Sequence, residues 1–268
     1  MANKMTEQEL LQLKKYRLNS RLEHSFSAAE LLDESSLKGF LQDLALAIGA
    51  PSEKIAASIF IKRYAFFAVM SLYTMTVWDK KINLSLDNVK IEPAEQGKNW
   101  LPSISLTDLT VVDWDGKDRP EWRKSIFIDL FANNIYPIIT RLEKTVGISR
   151  LILWENIAVY LFWLYETELN DIENDYVASD FHYLIFEAEG QVFGRYNGNP
   201  LQKYYGGKTH VEERDAEIRI RKTCCFSYQL PAGKRCKTCP CTHLTKDGRC
   251  QDGENICGTK SQKESSLI

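Results

Sequence analysis

All seven cysteines of this 268-residue chain lie in the 34 positions from Cys224 to Cys257, so Met1 to Thr223 must fold with no disulfide and no thiolate-held metal. Burial of apolar surface has to hold that part together. A hydrophobic content of 44% is enough to build a core and excludes intrinsic disorder for most of the chain. The length fits one large domain or two modest ones. A formal net charge of −2 argues against a general nucleic-acid binder. The start, MANKMTEQELLQLKK, has no apolar h-region and predicts no signal peptide, hence a cytoplasmic protein. In an unsecreted chain, seven cysteines point to metal or redox work rather than a disulfide framework.

Apolar residues at three-to-four spacing predict helices over Glu7 to Tyr16 and Ser27 to Ile48, the second closed by Gly49 and Pro51. A longer helical pattern runs from Ser52 to Trp78. Lys62 and Arg63 interrupt it, and the apolar run from Tyr64 to Trp78 is shorter than the roughly 20 residues that cross a bilayer. It reads as a buried core helix, not an integral membrane span. The period then changes. Ile82, Leu84, Leu86, Val89 and Ile91 alternate with polar residues, as do residues of Ser103 to Trp114, predicting half-buried strands with turns at Asp87-Asn88 and Asp115-Gly116. Helical spacing returns over Trp122 to Leu142, with a kink at Pro137, then over Ser149 to Tyr165 with Ser149 as N-cap, and over Asp175 to Phe186. The fold class is α+β: mainly helical N-terminal and central parts around a small antiparallel sheet.

Tyr165 to Asp180 holds six acids and no Lys or Arg. It reads as a solvated helix end or loop, with docking of a basic partner or a cation as the sharper alternative. Phe193 to Gly207 reads as a surface loop without the glycine spacing of a phosphate site. The four histidines, His24, His182, His210 and His243, are not at metal-helix spacing, and no Gly-x-Ser-x-Gly elbow is present. Hydrolase readings lose most of their support.

The C-terminal part carries the chemistry. Ile218 and Ile220 alternate with Arg219 and Arg221, predicting a strand into Cys224-Cys225, and Phe226, Tyr228 and Leu230 continue the alternation to a turn at Pro231-Ala232-Gly233. Cys236 and Cys239 follow as a Cys-x2-Cys, a spacer that lets both sulfurs face one metal in zinc and iron-sulfur sites alike. Adjacent cysteines in a strand point to opposite faces. A doublet therefore suits a binuclear cluster, which spreads its ligand positions over two irons, better than zinc, whose ligands are usually two to four residues apart. Iron-sulfur, zinc and unligated buried thiols stay open on spacing alone.

The full pattern, Cys-Cys-x10-Cys-x2-Cys, preceded by Arg221-Lys222-Thr223, containing Tyr228 and followed by Pro240, resembles the C-terminal motif of the FhuF-type ferric siderophore reductases. The resemblance covers about twenty residues, together with chain length and the motif's C-terminal position. It implies a 2Fe-2S cluster on Cys224, Cys225, Cys236 and Cys239. It also implies one-electron reduction of siderophore-bound Fe(III), of hydroxamate or citrate-hydroxamate type, with release of Fe(II) in the cytoplasm. Hard oxygen ligands hold ferric iron far more firmly than ferrous, so reduction is release. A ferredoxin or flavodoxin is the implied donor. An iron-sulfur electron carrier, a redox sensor and a zinc-stabilised binding module remain as alternatives.

Between Glu217 and Pro240 stand six cations against one anion. Such a local excess stabilises the reduced state of an anionic cluster and attracts an anionic chelate. Arg221, Lys222, Lys234, Arg235 and Lys237 are therefore candidate substrate contacts. Arg195, Lys203, Tyr204, Tyr205 and Lys208 are candidate cleft walls. Cys241, Cys250 and Cys257 exceed the motif. They read as tail thiols, as a pair able to form a disulfide, or with His243 as a small zinc site. The expected organisation is a scaffold and substrate-cleft domain over 1–215, a cluster segment over 216–241 and a polar tail over 242–268.

Overall fold

Helix α3 (Glu53–Trp78) is the axis of the fold. Its 26 residues span about 39 Å at the usual rise. Ser52 caps it by accepting from the Ile55 amide, and Asp79, at φ 51, ends it. A helix apolar all round is either a membrane span or a core element. This one has the length and composition of a span, and 83% of its most apolar window is buried against the rest of the chain. The computed structural model describes residues 2–19, 24–95, 100–212, 215–231 and 233–242.

Around α3 pack α1 (Glu7–Leu13), α2 (Glu34–Ile48), α4 (Arg119–Leu130), α5 (Tyr136–Val146), α6 (Arg150–Trp163) and α7 (Tyr176–His182). The closest packing is between α3 and α6, and that pair also supports the cysteine segment. Ser149 caps α6 as the sequence predicts. The stretch Ser27 to Ile48 is not one helix. It opens as a short strand, tightens into a 3-10 turn over Ala28–Leu32 and restarts at Asp33, because Ser27 and Asp33 each divert a side-chain oxygen to cap a new start. Pro137 lies in the first turn of α5. Having no N–H for the carbonyl four residues back, it is accommodated after a wide π turn over Phe131–Ile135 that joins α4 to α5. Similar π turns extend α6 over Leu164–Glu168 and α7 over Tyr183–Glu187.

Among the described residues the strands form three small antiparallel sheets rather than one. β1 (Ala2–Lys4) and β3 (Lys80–Ile82) flank β6 (Thr110–Asp113); β2 (Phe26–Ser27) and β5 (Ile104–Leu106) flank β4 (Val89–Ile91); β7 (Thr209–Val211) pairs with β8 (Ala216–Ile218). The α+β class holds, with the alternating segments divided between two sheets. β7 and β8 pair across the expected boundary between 215 and 216.

The acidic stretch is not merely solvated. Asp180 is fully buried, accepts from both terminal nitrogens of Arg119 (2.7 and 2.9 Å), from Arg123 (3.2 Å) and from the Thr76 hydroxyl (3.0 Å). Glu166 pairs with Arg219 and Lys208, and Glu168 with Lys15. The counter-charges come from distant parts of the chain, which is why no local cation marks them.

Candidate metal centre

The approach to the cysteines is fixed by two consecutive polar residues on the otherwise apolar α6. Glu155 is 2% exposed, and its two carboxylate oxygens accept the backbone N–H groups of Lys222 and Thr223, each at 2.6 Å. The Thr223 hydroxyl donates to the same carboxylate. Arg221, also buried, donates to the Asn156 side-chain oxygen at 2.6 Å, and its Nε lies 3.6 Å from Glu155. Its amide donates to the Thr238 carbonyl at 2.9 Å, which ties the approach to the Cys-x2-Cys loop. From α3, the Ser58 hydroxyl donates to the Cys225 carbonyl at 3.0 Å, and Asn156 in turn donates to Ser58. Two helices thus hold the doublet and its approach by the backbone.

The doublet leaves extended geometry at once. Phe226 is in the left-handed region at φ 60, and its amide donates to the Cys224 sulfur at 3.4 Å. The strand expected over Phe226 to Leu230 is instead a 3-10 turn at Ser227–Gln229. The sharp bend lets the chain return to the Cys-x2-Cys. Gly233 makes that return possible: a Cβ there would lie 2.1 Å from the Ser227 carbonyl oxygen. Pro231 seats on the end of α2, where a side chain on Gly49 would strike it at 2.6 Å. The Cys239 amide then donates to the Cys236 carbonyl at 3.0 Å, closing the metal-binding type of turn.

These bends place the sulfurs in two groups. Those of Cys224, Cys239 and Cys241 lie within 4.8 Å of one another. Cys225 and Cys236 form the second group, the Cys236 thiol donating to Cys225. That hydrogen bond holds Cys225 well below the ordinary thiol range against the opposing effect of burial, with the Arg221 and Lys62 cations adding to it. Cys236, the donor of the pair, is pushed up. Cys224 is pushed up to about 12, chiefly by burial. The Lys62 ammonium is 3.7 Å from the Cys225 sulfur and Arg235 is 3.9 Å from that of Cys239.

This donor set fits a binuclear iron-sulfur group. All-sulfur ligation is what 2Fe-2S centres take. Adjacent side chains diverge, so Cys224 joins one sulfur group and Cys225 the other, an arrangement that would let two metals share the doublet. Cations and N–H or O–H donors surround the sulfurs, as an anionic cluster requires.

The structure separates the other residues singled out by sequence. Lys222, Lys234, Arg235 and Lys237 are exposed around the cysteine loops, whereas Arg221 is buried beneath them. Lys237 and Lys208 line a cavity of about 630 Å³ between α6 and the β8 segment, as does Tyr204. Arg195 and Lys203 are exposed, and Tyr205 packs on Phe162, Phe181 and the Arg219 guanidinium. Cys241 joins the first sulfur group; Cys250, Cys257 and His243 lie outside the described residues. Sequence reasoning missed Ser58, Lys62, Glu155 and Asn156. Their signal was present as polar residues set into apolar helices.

A helical body carrying a C-terminal loop of clustered cysteines defines an iron-sulfur protein of two parts, and the comparisons follow that division. The family model described as ferric iron reductase FhuF-like transporter matches residues 58–217, and that of the FhuF 2Fe-2S C-terminal domain matches residues 221–240. The chain belongs to the FhuF-like family, and its C-terminal segment is that family's 2Fe-2S domain. A ferric siderophore reductase of Escherichia coli (strain K12) is 26% identical over 110 residues, a match covering 41% of this chain and 38% of that relative. The chain thus spans less than half the length of the relative in that match.

Proposed function

We propose that the protein is a siderophore-iron reductase that passes one electron to chelated Fe(III) and so releases Fe(II). The observation that carries this reading is the gathering of buried cysteine sulfurs on loops whose Lys222, Lys234, Arg235 and Lys237 are exposed. Cys224, Cys225, Cys236 and Cys239 would hold the group, Cys224 lying with Cys239 and Cys225 with Cys236. When bound, the 2Fe-2S group supplies a centre that takes up and gives up a single electron.

This chain's own residues set the conditions for transfer. Arg221, buried against the sulfurs, is a fixed cation whose charge favours the more negative, reduced centre; Lys62 and Arg235 add to it from either side. Exposed Lys222, Lys234, Arg235 and Lys237 draw an anionic chelate toward the loops. The substrate iron gains one electron while no bond within the chelator breaks, and the weaker hold of hard oxygen donors on Fe(II) lets the metal go. A ferredoxin- or flavodoxin-like protein supplies the electrons singly. The substrates are hydroxamate or citrate-hydroxamate complexes. The reaction runs in the cytoplasm, where thiols stay reduced and available as ligands.

Anaerobic stopped-flow tests the reading. Dithionite-reduced protein, freed of excess dithionite, should be reoxidised by ferric citrate-hydroxamate with one Fe(II) formed per cluster. Reoxidation by no ferric chelate would leave an electron carrier or sensor, and a colourless, zinc-containing protein without sulfide would leave a structural zinc module.

A further inference from the structure

We infer that the ferric chelate is seated in one particular groove, lined by Lys62, Phe66, Tyr160, Trp163, Cys236 and Thr238, and that this groove selects complexes of net negative charge; the inference rests on the reductase reading. The groove encloses about 330 Å³ and adjoins the 630 Å³ cavity, with which it shares Val159, Trp163, Arg221 and Thr238. A complex with one lobe in each would lie across the mouth of the cysteine loops.

Its position relative to the sulfurs is the first argument. Cys224, Cys225 and Cys239 are each 2% exposed, whereas Cys236 is partly exposed and forms part of the groove wall. Of the four proposed ligands, Cys236 is therefore the sulfur through which an electron leaves by the shortest route to a bound complex. The adjoining 630 Å³ cavity has none of the four in its wall.

The second argument is charge. Lys62 lines the groove, its ammonium 3.1 Å from the Ser227 hydroxyl and 3.7 Å from the Cys225 sulfur. Arg17 lies over the Phe66 ring at 4.4 Å, close enough to Arg63 that the two cations oppose each other. Arg63 Nε is buried without a hydrogen-bond partner. Among the described residues, neither Arg17 nor Arg63 has a carboxylate partner. Two like charges held together and part-buried are costly unless an anion joins them. Beside them, Phe66 packs on Tyr160 and Trp163 with ring centroids 4.9 and 6.3 Å apart. An aromatic wall that shares the groove with Lys62 and Arg221, and has the Arg17 and Arg63 charges beside Phe66, is suited to the planar hydroxamate groups of an anionic chelate and gives a neutral or cationic complex no charge advantage.

The test uses full-length protein with its cluster intact. Binding is read with redox-inert gallium(III) complexes, one an anionic citrate-hydroxamate and one a neutral trihydroxamate, by quenching of tryptophan fluorescence. Reduction is read with the matching ferric complexes. The Arg17→Gln/Arg63→Gln double variant and, separately, Trp163→Leu should keep the wild-type cluster spectrum. The arginine double variant should weaken anionic gallium binding and raise KM for the anionic ferric complex roughly tenfold or more, leaving kcat and the neutral complex little changed; Trp163→Leu should weaken binding of both. Wild-type affinity and KM in both variants, with reduction still occurring, would overturn the groove assignment while leaving the reductase reading intact. Failure of wild-type protein to reduce any ferric complex would overturn the reductase reading and this inference with it.

Discussion

Glu155 takes both the amide and the hydroxyl of Thr223 on a single carboxylate oxygen, one residue before the cysteine doublet begins. The other oxygen holds the Lys222 amide, and the Arg221 guanidinium stands beside them. A carboxylate buried to this degree is tolerated only because donors and a cation surround it.

Removing that charge leaves Arg221 buried beside Asn156 with no anion in contact until the sulfurs are reached. Glu155→Ala should therefore cost about 3–5 kcal/mol, the range for breaking a buried pair from one side. Thermal unfolding of the purified variant measures the loss, and iron and sulfide content should fall with it. Glu155→Gln keeps the shape but presents an N–H₂ group to one of two backbone amides, so it should also lose stability, by less. Full cluster content and an unchanged Tm in Glu155→Ala would show that the doublet is positioned by the sulfurs alone.

Lys62 acts on the cluster through charge. Its ammonium is 3.7 Å from the Cys225 sulfur and comes from α3, not from the loops that carry the cysteines. A nearby cation stabilises the reduced, more negative state and raises the potential. Lys62→Met should therefore lower the reduction potential by some tens of millivolts, where 59 mV is tenfold for one electron. Redox titration followed by EPR checks this. An unchanged potential with an unchanged spectrum would mean that solvent screens the ammonium from the cluster.

Glu166 gives the protein part of its acid sensitivity. Burial works to raise its pKa, but hydrogen bonds from Arg219, at 2.9 and 2.8 Å, and the Arg219 and Lys208 charges outweigh that and hold it below the ordinary carboxylate value. A depressed folded-state pKa contributes stability that is present above the unfolded value and is lost as pH falls through the folded one. The contribution at neutral pH should be about 1 kcal/mol, reduced by partial exposure of the pair. Glu166→Gln should melt lower than the parent at pH 7, and the difference should shrink as the buffer is taken down through the carboxylate range. Since Arg219 directly follows β8, the loss should also loosen the hairpin that delivers the chain to the cysteines. A gap that stays constant down to acid pH would show that shape, not charge, accounts for the effect.

The elements readable from sequence are those whose causes are local. Ser52 and Ser149 cap the helices they precede, and the apolar Glu53–Trp78 run forms the buried axis. The cysteine spacing pointed to one site because turns, not distant contacts, bring the sulfurs together. Unreadable features depend on distant partners. Ala2–Lys4 becomes a strand only because Thr110–Asp113 is there to pair with it. Asp180 looked solvated because Arg119 and Arg123 are some sixty residues away. Lys62 and Arg63 looked like interruptions of an apolar helix, yet one reaches the Cys225 sulfur and the other lies beside Arg17. Periodicity reports which face is buried, not what that face meets.

Cys241 is the thiol beyond the motif that the fold carries into the site. It is 7% exposed and its sulfur lies within 4.8 Å of those of Cys224 and Cys239. It follows Cys239 across Pro240, on the 3-10 turn Pro240–Thr242. A sulfur this near a proposed ligand can replace it after a small change of that turn, whereas nothing comparable among the described residues stands beside Cys225 and Cys236. Loss of individual cysteines should therefore be unequal. Cys225→Ser and Cys236→Ser should abolish the cluster. Cys239→Ser should keep a measurable fraction of iron and sulfide, with a shifted visible spectrum, and Cys239→Ser/Cys241→Ser should keep none. Cys241→Ser alone should leave content and spectrum at the parent level. Reconstitution under anaerobic conditions, followed by metal and sulfide analysis, separates these outcomes. Equal and complete loss in Cys239→Ser and the double variant would show that Cys241 cannot reach the metal. Loss of the cluster in Cys241→Ser alone would instead make it one of the four ligands and displace Cys239 from the set.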